Sequence, residues 1–81
     1  MNESRFIGKT LRELITVSGP NHKGYVVFVL QDDQDDTGRR AGNSYTIRNL
    51  LYLHPELADH TVKIAHDYYG ETILRVRKEN T

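Results

Sequence analysis

The chain has 81 residues, with 11 basic side chains, 11 acidic side chains and no cysteine. A chain of this length forms one small domain, the lack of cysteine excludes disulfides, and the zero formal net charge provides no overall field to attract nucleic acid or an anionic membrane. No apolar stretch approaches the roughly 20 residues that a membrane-spanning helix needs, and the first ten residues lack an apolar signal core. We therefore expect a cytoplasmic domain with no membrane partner.

The first helix is predicted to follow a polar lead-in over residues 1–9, where Phe6 and Ile7 could pair as a short edge strand. Thr10 and Glu13 match the capping box, in which each side chain satisfies a backbone donor left free at a helix start. The apolar residues that follow recur at helical spacing; these are Leu11, Leu14 and Ile15. The β-branched segment 15–17 leaves a hairpin as the alternative, and Gly19-Pro20 is expected to end the element.

The clearest strand is Tyr25–Gln31, whose apolar side chains point to both faces, as in a central strand. Residues 32–44 then form a polar stretch, which is long for a structureless loop in so small a domain. This stretch could be mobile, or part of it could extend the neighbouring strands as a hairpin arm.

A second helix is predicted to begin after Thr46 as its N-cap residue, with an inner face of Ile47, Leu50, Leu51 and His54. Pro55 disfavours helical geometry at His54, so we expect a break and a short restart through Ala58.

Two further strands are predicted at the end of the chain, before a tail over residues 79–81. In Thr61–Asp67 the alternation places Val62, Ile64 and His66 on one face. Tyr68, Tyr69 and Gly70 form a turn, and Thr72–Lys78 returns with Thr72, Leu74 and Val76 inward and Ile73, Arg75 and Arg77 outward.

The element order predicts an α+β fold in two layers, with two short helices on one face of a three- or four-stranded mixed sheet. The connection from the first strand through the second helix to the next strand is expected to be a right-handed parallel crossover. TLRELITV at 10–17 also returns as TIRNLLYL at 46–53, and the same offset of 36 aligns Val26 with Val62. A pseudo-repeat of a helix-strand unit is therefore a hypothesis for the backbone to test.

The acidic segment after the first strand resembles two known motifs. Asp33-Gln34-Asp35-Asp36-Thr37 resembles the Asp-x-Asp-x-Thr start of haloacid-dehalogenase-like phosphatases, which implies a nucleophile and acid pair, but so short a chain cannot supply their large sheet. The same residues begin like a calcium loop, yet Ser44 stands where a bidentate glutamate is needed. A solvated acidic turn balanced by Arg39 and Arg40 is the preferred interpretation.

Other catalytic constellations are weak. The four histidines are spaced by 32, 6 and 6 residues, without the close pairs of zinc sites, and no glycine-rich phosphate loop or nucleophile elbow follows a strand. We therefore predict no metal, no cofactor and no enzymatic activity.

Tyrosine and arginine near the end of the chain give the better functional indication, because both residue types are enriched at the energetic centres of interfaces. The predicted protein-binding residues are Tyr68, Tyr69, Arg75 and Arg77. The alternative is a nucleic-acid surface built from Arg39, Arg40, Arg75, Arg77 and Lys78. We expect a protein-binding or regulatory module that forms a homodimer, and its character is similar to that of small bacterial or phage accessory proteins.

Overall fold

The computed structural model describes residues 3–17 and 23–79. Its two α-helices and four strands are α1 (Leu11–Val17), β1 (Tyr25–Val29), β2 (Arg39–Ser44), α2 (Ile47–Leu53), β3 (His60–Tyr68) and β4 (Glu71–Lys78). Short 3-10 helices span Glu3–Phe6 and Pro55–Leu57.

The sheet is mixed and has the strand order β2-β1-β4-β3. β1 pairs antiparallel with β2 and parallel with β4, while β3 and β4 form an antiparallel hairpin. The α+β class and the mixed sheet are therefore confirmed. The predicted crossover is wrong in its destination, because the parallel neighbour of β1 is β4 and not β3.

Both helices begin with the predicted caps. The Thr10 backbone N–H donates to Glu13 Oε1 at 2.8 Å, and the Glu13 N–H donates to Thr10 Oγ1 at 3.2 Å, which completes the capping box. The Asn49 N–H donates to Thr46 Oγ1 at 3.1 Å at the start of α2. The restart after α2 is also present as Pro55–Leu57, while the predicted stop at Gly19-Pro20 lies outside the described residues.

The core lies against one face of the sheet. Both helices and the 3-10 helices contribute to a single buried cluster with alternate strand residues, so these strand side chains share one face. The cluster consists of Phe6, Leu11, Leu14, Ile47, Leu50, Leu51 and Leu57 with Tyr25, Val27, Val62, Leu74 and Val76.

The start of the chain differs from its predicted role as a polar lead-in. Phe6 ends a 3-10 helix and is fully buried, where its ring meets Tyr25 edge-on at 6.2 Å. The predicted edge pairing of Phe6 and Ile7 is wrong by a few residues, because Gly8 and Lys9 are the residues that bond to the backbone of Val62. The apolar side chain of Phe6 thus anchors the segment, and the backbone after it lies along β3.

The predicted loop over residues 32–44 is shorter in the structure. Arg39–Ser44 forms β2, so the hairpin-arm alternative describes its second half. The remaining connection, residues 30–38, joins β1 to this edge strand; we call its residues 31–38 the acidic turn.

A β-bulge in β3 corrects the predicted alternation. The register with β4 shifts between Val62 and Ile64, so Val62 lies in the core and Ile64 lies opposite Arg75 on the other face. His66 is on that other face too, opposite Ile73. One extra residue in a strand reverses the face of every later side chain.

The pseudo-repeat holds only in the helices. Leu14 and Leu50 occupy equivalent buried positions, but Val26 lies outside the core cluster whereas its counterpart Val62 lies in it. β1 is also interior and β3 is an edge strand. The offset of 36 therefore does not relate equivalent strands.

No helix within residues 3–17 and 23–79 combines the length and the apolar character that crossing a membrane requires.

Candidate functional site

The face of the sheet opposite the core carries a mixed apolar and basic surface, which we call the open face. Strand register assigns residues to it: Phe28 pairs with both Arg40 and Arg75, Val26 with Ile73, and Ile73 with His66. Among the described strand residues, register assigns to the open face Val26, Phe28, Arg40, Asn43, Thr61, Ile64, His66, Tyr68, Glu71, Ile73, Arg75 and Arg77.

A depression of about 230 Å³ lies in the middle of the open face. Its walls come from the two central strands and from β3; the described residues that line it are Phe28, His66, Tyr68, Ile73 and Arg75. Ile73 is only 7% exposed although it points away from the core. Among these described residues, Phe28 and Ile73 make the lining largely apolar, and Arg75 provides its fixed positive charge.

Arg75 is positioned by two contacts on the open face. Its guanidinium carbon lies 5.1 Å from the centre of the Phe28 ring, within cation–π range. Its Nε donates to the Thr37 carbonyl at 2.9 Å. Within residues 3–17 and 23–79, no acidic side chain forms an ion pair with Arg75. The two terminal nitrogens are therefore available to an external acceptor.

Two exposed tyrosines border the depression at the β3–β4 turn. Tyr68 lines the depression and is 57% exposed, and the Tyr69 ring meets the Tyr68 ring edge-on at 4.6 Å while remaining 78% exposed. Tyr69 has a φ of 51° and Gly70 a φ of 89°. Two central residues with positive φ match the hairpin turns in which asparagine followed by glycine is preferred.

Replacing Tyr69 with asparagine is expected to stabilise the fold. A non-glycine residue in the left-handed region carries a penalty of about 1–2 kcal/mol, which asparagine reduces, while the lost ring contact offsets part of the gain. We expect Tyr69→Asn to raise the free energy of unfolding by about 0.5–1 kcal/mol, measured by urea denaturation with circular dichroism. Tyr68→Asn, at a position of ordinary β-strand φ, is the control and should give no gain; a less stable Tyr69→Asn protein would contradict the argument.

Arg77 shares the open face with Arg75 but is used differently. Its Nη2 donates to the Asp32 carbonyl at 3.0 Å, and its Nη1 lies 3.7 Å from Asp33 Oδ1. Its Nε is buried without a hydrogen-bond partner among the described residues. The structure thus places Arg77 under the acidic turn, outside the set that lines the depression.

The acidic turn is organised by Asp35. The Asp35 carboxylate accepts backbone N–H bonds from Gln31, Thr37 and Gly38 at 2.8, 3.0 and 2.9 Å. These bonds, that of Gln31 foremost, lower the pKa of the Asp35 carboxyl below its usual value. Its oxygens therefore serve the chain's own backbone. The predicted charge balance by Arg39 and Arg40 is wrong, because these residues lie in β2 and the arginine that pairs with the turn among the described residues is Arg77.

The residues of the nucleic-acid alternative are divided between two faces. Arg40, Arg75 and Arg77 share the open face, whereas Lys78 pairs with His60 and Arg39 with the core-packed Val29. Arg40 Nη2 also donates to Asn43 Oδ1 at 2.9 Å. The structure therefore brings together three of the five basic residues.

Three lining residues were not predicted as site residues: Phe28, His66 and Ile73. The sequence did indicate a role for Phe28: β1 was expected to carry apolar side chains on both faces of the sheet, while both helices were assigned to the same face. An apolar side chain was therefore expected on the uncovered face. The alternation of the last strand correctly placed the Ile73 side chain outward, but Ile73 was not included among the predicted binding residues. His66 was placed with Val62, and only the bulge brings it to the depression.

No group of three or more histidine, cysteine, aspartate or glutamate side chains in the described ranges is arranged to hold a metal ion. The site is thus defined by aromatic, aliphatic and basic side chains around an open depression. No family model matches this chain, and neither does any curated protein or solved structure that was compared with it.

Proposed function

We propose that this chain is a non-enzymatic protein-binding or regulatory accessory module of the cytoplasm, that it acts as a homodimer, and that its binding surface is the open face. The observation that carries this proposal is the depression whose lining includes Tyr68 and Arg75, with the exposed Tyr69 beside it. Two of the four residues predicted from the sequence thus line one depression, and a third contacts it through Tyr68.

The composition of the open face supports a protein partner. Binding energy at interfaces is concentrated in aromatic and arginine side chains around an apolar centre, with polar residues at the rim. Phe28 and Ile73 provide the apolar centre here, and Tyr68 and Arg75 stand at its wall. A partner would also stabilise a domain of this size, because binding to the folded state alone raises stability by mass action.

A nucleic-acid accessory role is the second candidate. Phe28 lies between Arg40 and Arg75 on neighbouring strands, and an aromatic ring flanked by cations on an open sheet suits a single strand. Against it, the zero net charge and the pairing of Arg77 with the acidic turn reduce the positive potential available for phosphates. Protein binding therefore remains the preferred proposal.

Affinity capture from a native cell extract tests the choice of surface. The wild type and a Tyr52→Ser variant should retain the same proteins, because Tyr52 is 82% exposed on α2, away from the open face. Tyr68→Ser should reduce that retention at least about tenfold, as expected when an interface aromatic is truncated. Equal retention by all three proteins would show that the open face is not the binding surface.

Salt dependence separates the two candidates. A packed apolar interface should persist as salt is raised, whereas phosphate contacts weaken steeply. Fluorescence anisotropy with a short labelled single strand measures this directly. Tight binding at low salt that is lost on adding salt and on Arg40→Ala would favour the nucleic-acid role.

A further inference from the structure

The charges along β4 indicate what occupies the open face. Glu71, Ile73 and Arg75 are alternate residues of β4, so their side chains point to the same face. At roughly 3.3 Å per residue, Glu71 and Arg75 are about 13 Å apart, too far to pair with each other. Neither has an ion pair within residues 3–17 and 23–79.

We infer that the partner on the open face is a second copy of this chain, packed face to face. The two copies are related by a two-fold axis that lies in the plane between the two sheets, perpendicular to β4, and passes over Ile73. This inference rests on the proposed function and names the partner for the same surface. The axis reverses the direction of β4, so Arg75 of each copy meets Glu71 of the other. The two-fold rotation therefore forms two Arg75–Glu71 pairs across the interface, as expected when the same surface of both copies meets itself.

The alternative axis, parallel to β4, is disfavoured by charge. It would place Arg75 against Arg75 and Glu71 against Glu71, and like charges that face each other across an interface weaken binding. The charge order on β4 therefore selects the antiparallel arrangement.

The rest of the open face is consistent with this axis. Tyr68 pairs with Glu71 and Ile64 pairs with Arg75, so the operation that brings Glu71 over Arg75 also brings Tyr68 over Ile64 of the second copy. Val26 and His66 lie on either side of Ile73 along the axis, so the centre of the interface combines two apolar side chains and one imidazole from each copy. Two sheets packed in this way stand about 10 Å apart.

The acidic turn lies toward one end of β4 in this arrangement. It contacts Arg75 and Arg77 at the far end of β4, through the carbonyls of Thr37 and Asp32. The two-fold axis sends the turn of the second copy to the opposite end, beside the β3–β4 turn. The two acidic turns therefore lie at opposite edges of the dimer.

Charge reversal tests the pairing. In Arg75→Glu or Glu71→Arg alone, both contacts across the axis become repulsive, and we expect the dimer dissociation constant to rise at least about 100-fold. In an equimolar mixture of the two variants, the heterodimer contains only attractive contacts, so dimer mass should return. Arg48→Glu, on the exposed side of α2, is the matched control and should leave the dimer unchanged.

The measurement is analytical ultracentrifugation of the purified chains over a range of concentrations, with circular dichroism to check that each variant is folded. Should a single variant unfold, the double variant Glu71→Arg, Arg75→Glu replaces the mixture, since it too has only attractive contacts and should dimerise. A wild type that stays monomeric, or a folded mixture or double variant that does not regain dimer mass, overturns the inference. In that case the homodimer in the proposed function also fails, and loss of capture by Tyr68→Ser would uphold only its other part, that the open face binds a protein.

Discussion

Phe6→Ala is expected to lower the free energy of unfolding by about 3–5 kcal/mol, the usual cost of removing a buried aromatic ring. Phe6 is fully buried in the main cluster, its ring contacts Tyr25, and the Arg5 guanidinium carbon lies 5.0 Å from the ring centre. The same side chain holds the segment whose backbone pairs with Val62 at the edge of β3. Its loss should therefore weaken both the core and the cover over that edge.

Ile7→Ala is the control for Phe6→Ala. Ile7 is the next residue but is 44% exposed, so its truncation should cost well under half as much. Urea denaturation followed by circular dichroism gives both values. Equal, small effects of the two changes would show that residues 3–9 do not belong to the folded core.

The elements that could be predicted from the sequence are those with local physical signals. The Thr10 and Glu13 capping box and the Thr46 cap satisfy backbone donors within a few residues, so the spacing alone identifies both helix starts. The apolar segment of β1 likewise predicts an interior strand. None of these conclusions requires knowledge of distant neighbours.

The parts that could not be predicted depend on distant contacts. β2 is the polar segment RRAGNS, which has no strand pattern of its own and exists because β1 offers it a pairing edge. The bulge in β3 depends on the register with β4, and it decides that Ile64 and His66 leave the core face. Phe6 and Ile7 are two adjacent apolar residues in a polar context, and only the assembled core explains why Phe6 is buried while Ile7 is 44% exposed.

The candidate site shows the same division. Alternation alone placed Arg75 and Arg77 together on the outward face, and register confirms that they share it. What separates them is the path of the acidic turn, which brings Asp32 and Asp33 to Arg77 but leaves the terminal nitrogens of Arg75 unpaired among the described residues. Sequence reasoning could therefore find the face but not which arginine is available on it.

Gly24→Ala is expected to be the other strongly destabilising change, costing about 2–5 kcal/mol. Gly24 has a φ of 95°, which a residue with a Cβ adopts only at a penalty of about 1–2 kcal/mol. A Cβ at this position would also lie 2.7 Å from the Ser44 carbonyl oxygen, and such overlap typically costs about 1–3 kcal/mol. The Gly24 carbonyl accepts a bond from the Thr72 N–H at 3.0 Å, so β2, β1 and β4 all meet at this residue.

Gly8→Ala separates the backbone penalty at positive φ from the cost of steric overlap with Ser44. Gly8 also has a positive φ, 84°, but a Cβ there would have no atom of the described residues within 4 Å, so we expect only the backbone penalty of about 1–2 kcal/mol. The excess cost of Gly24→Ala over Gly8→Ala, measured by urea denaturation, is then the cost of pushing Ser44 and the β2 edge away from β1. Because Arg40 is held on the open face by its pairing with Phe28, that displacement should also weaken any binding that uses Arg40. Equal losses for the two alanine variants would show that β2 can move aside freely, and would remove β2 from the framework that supports the open face.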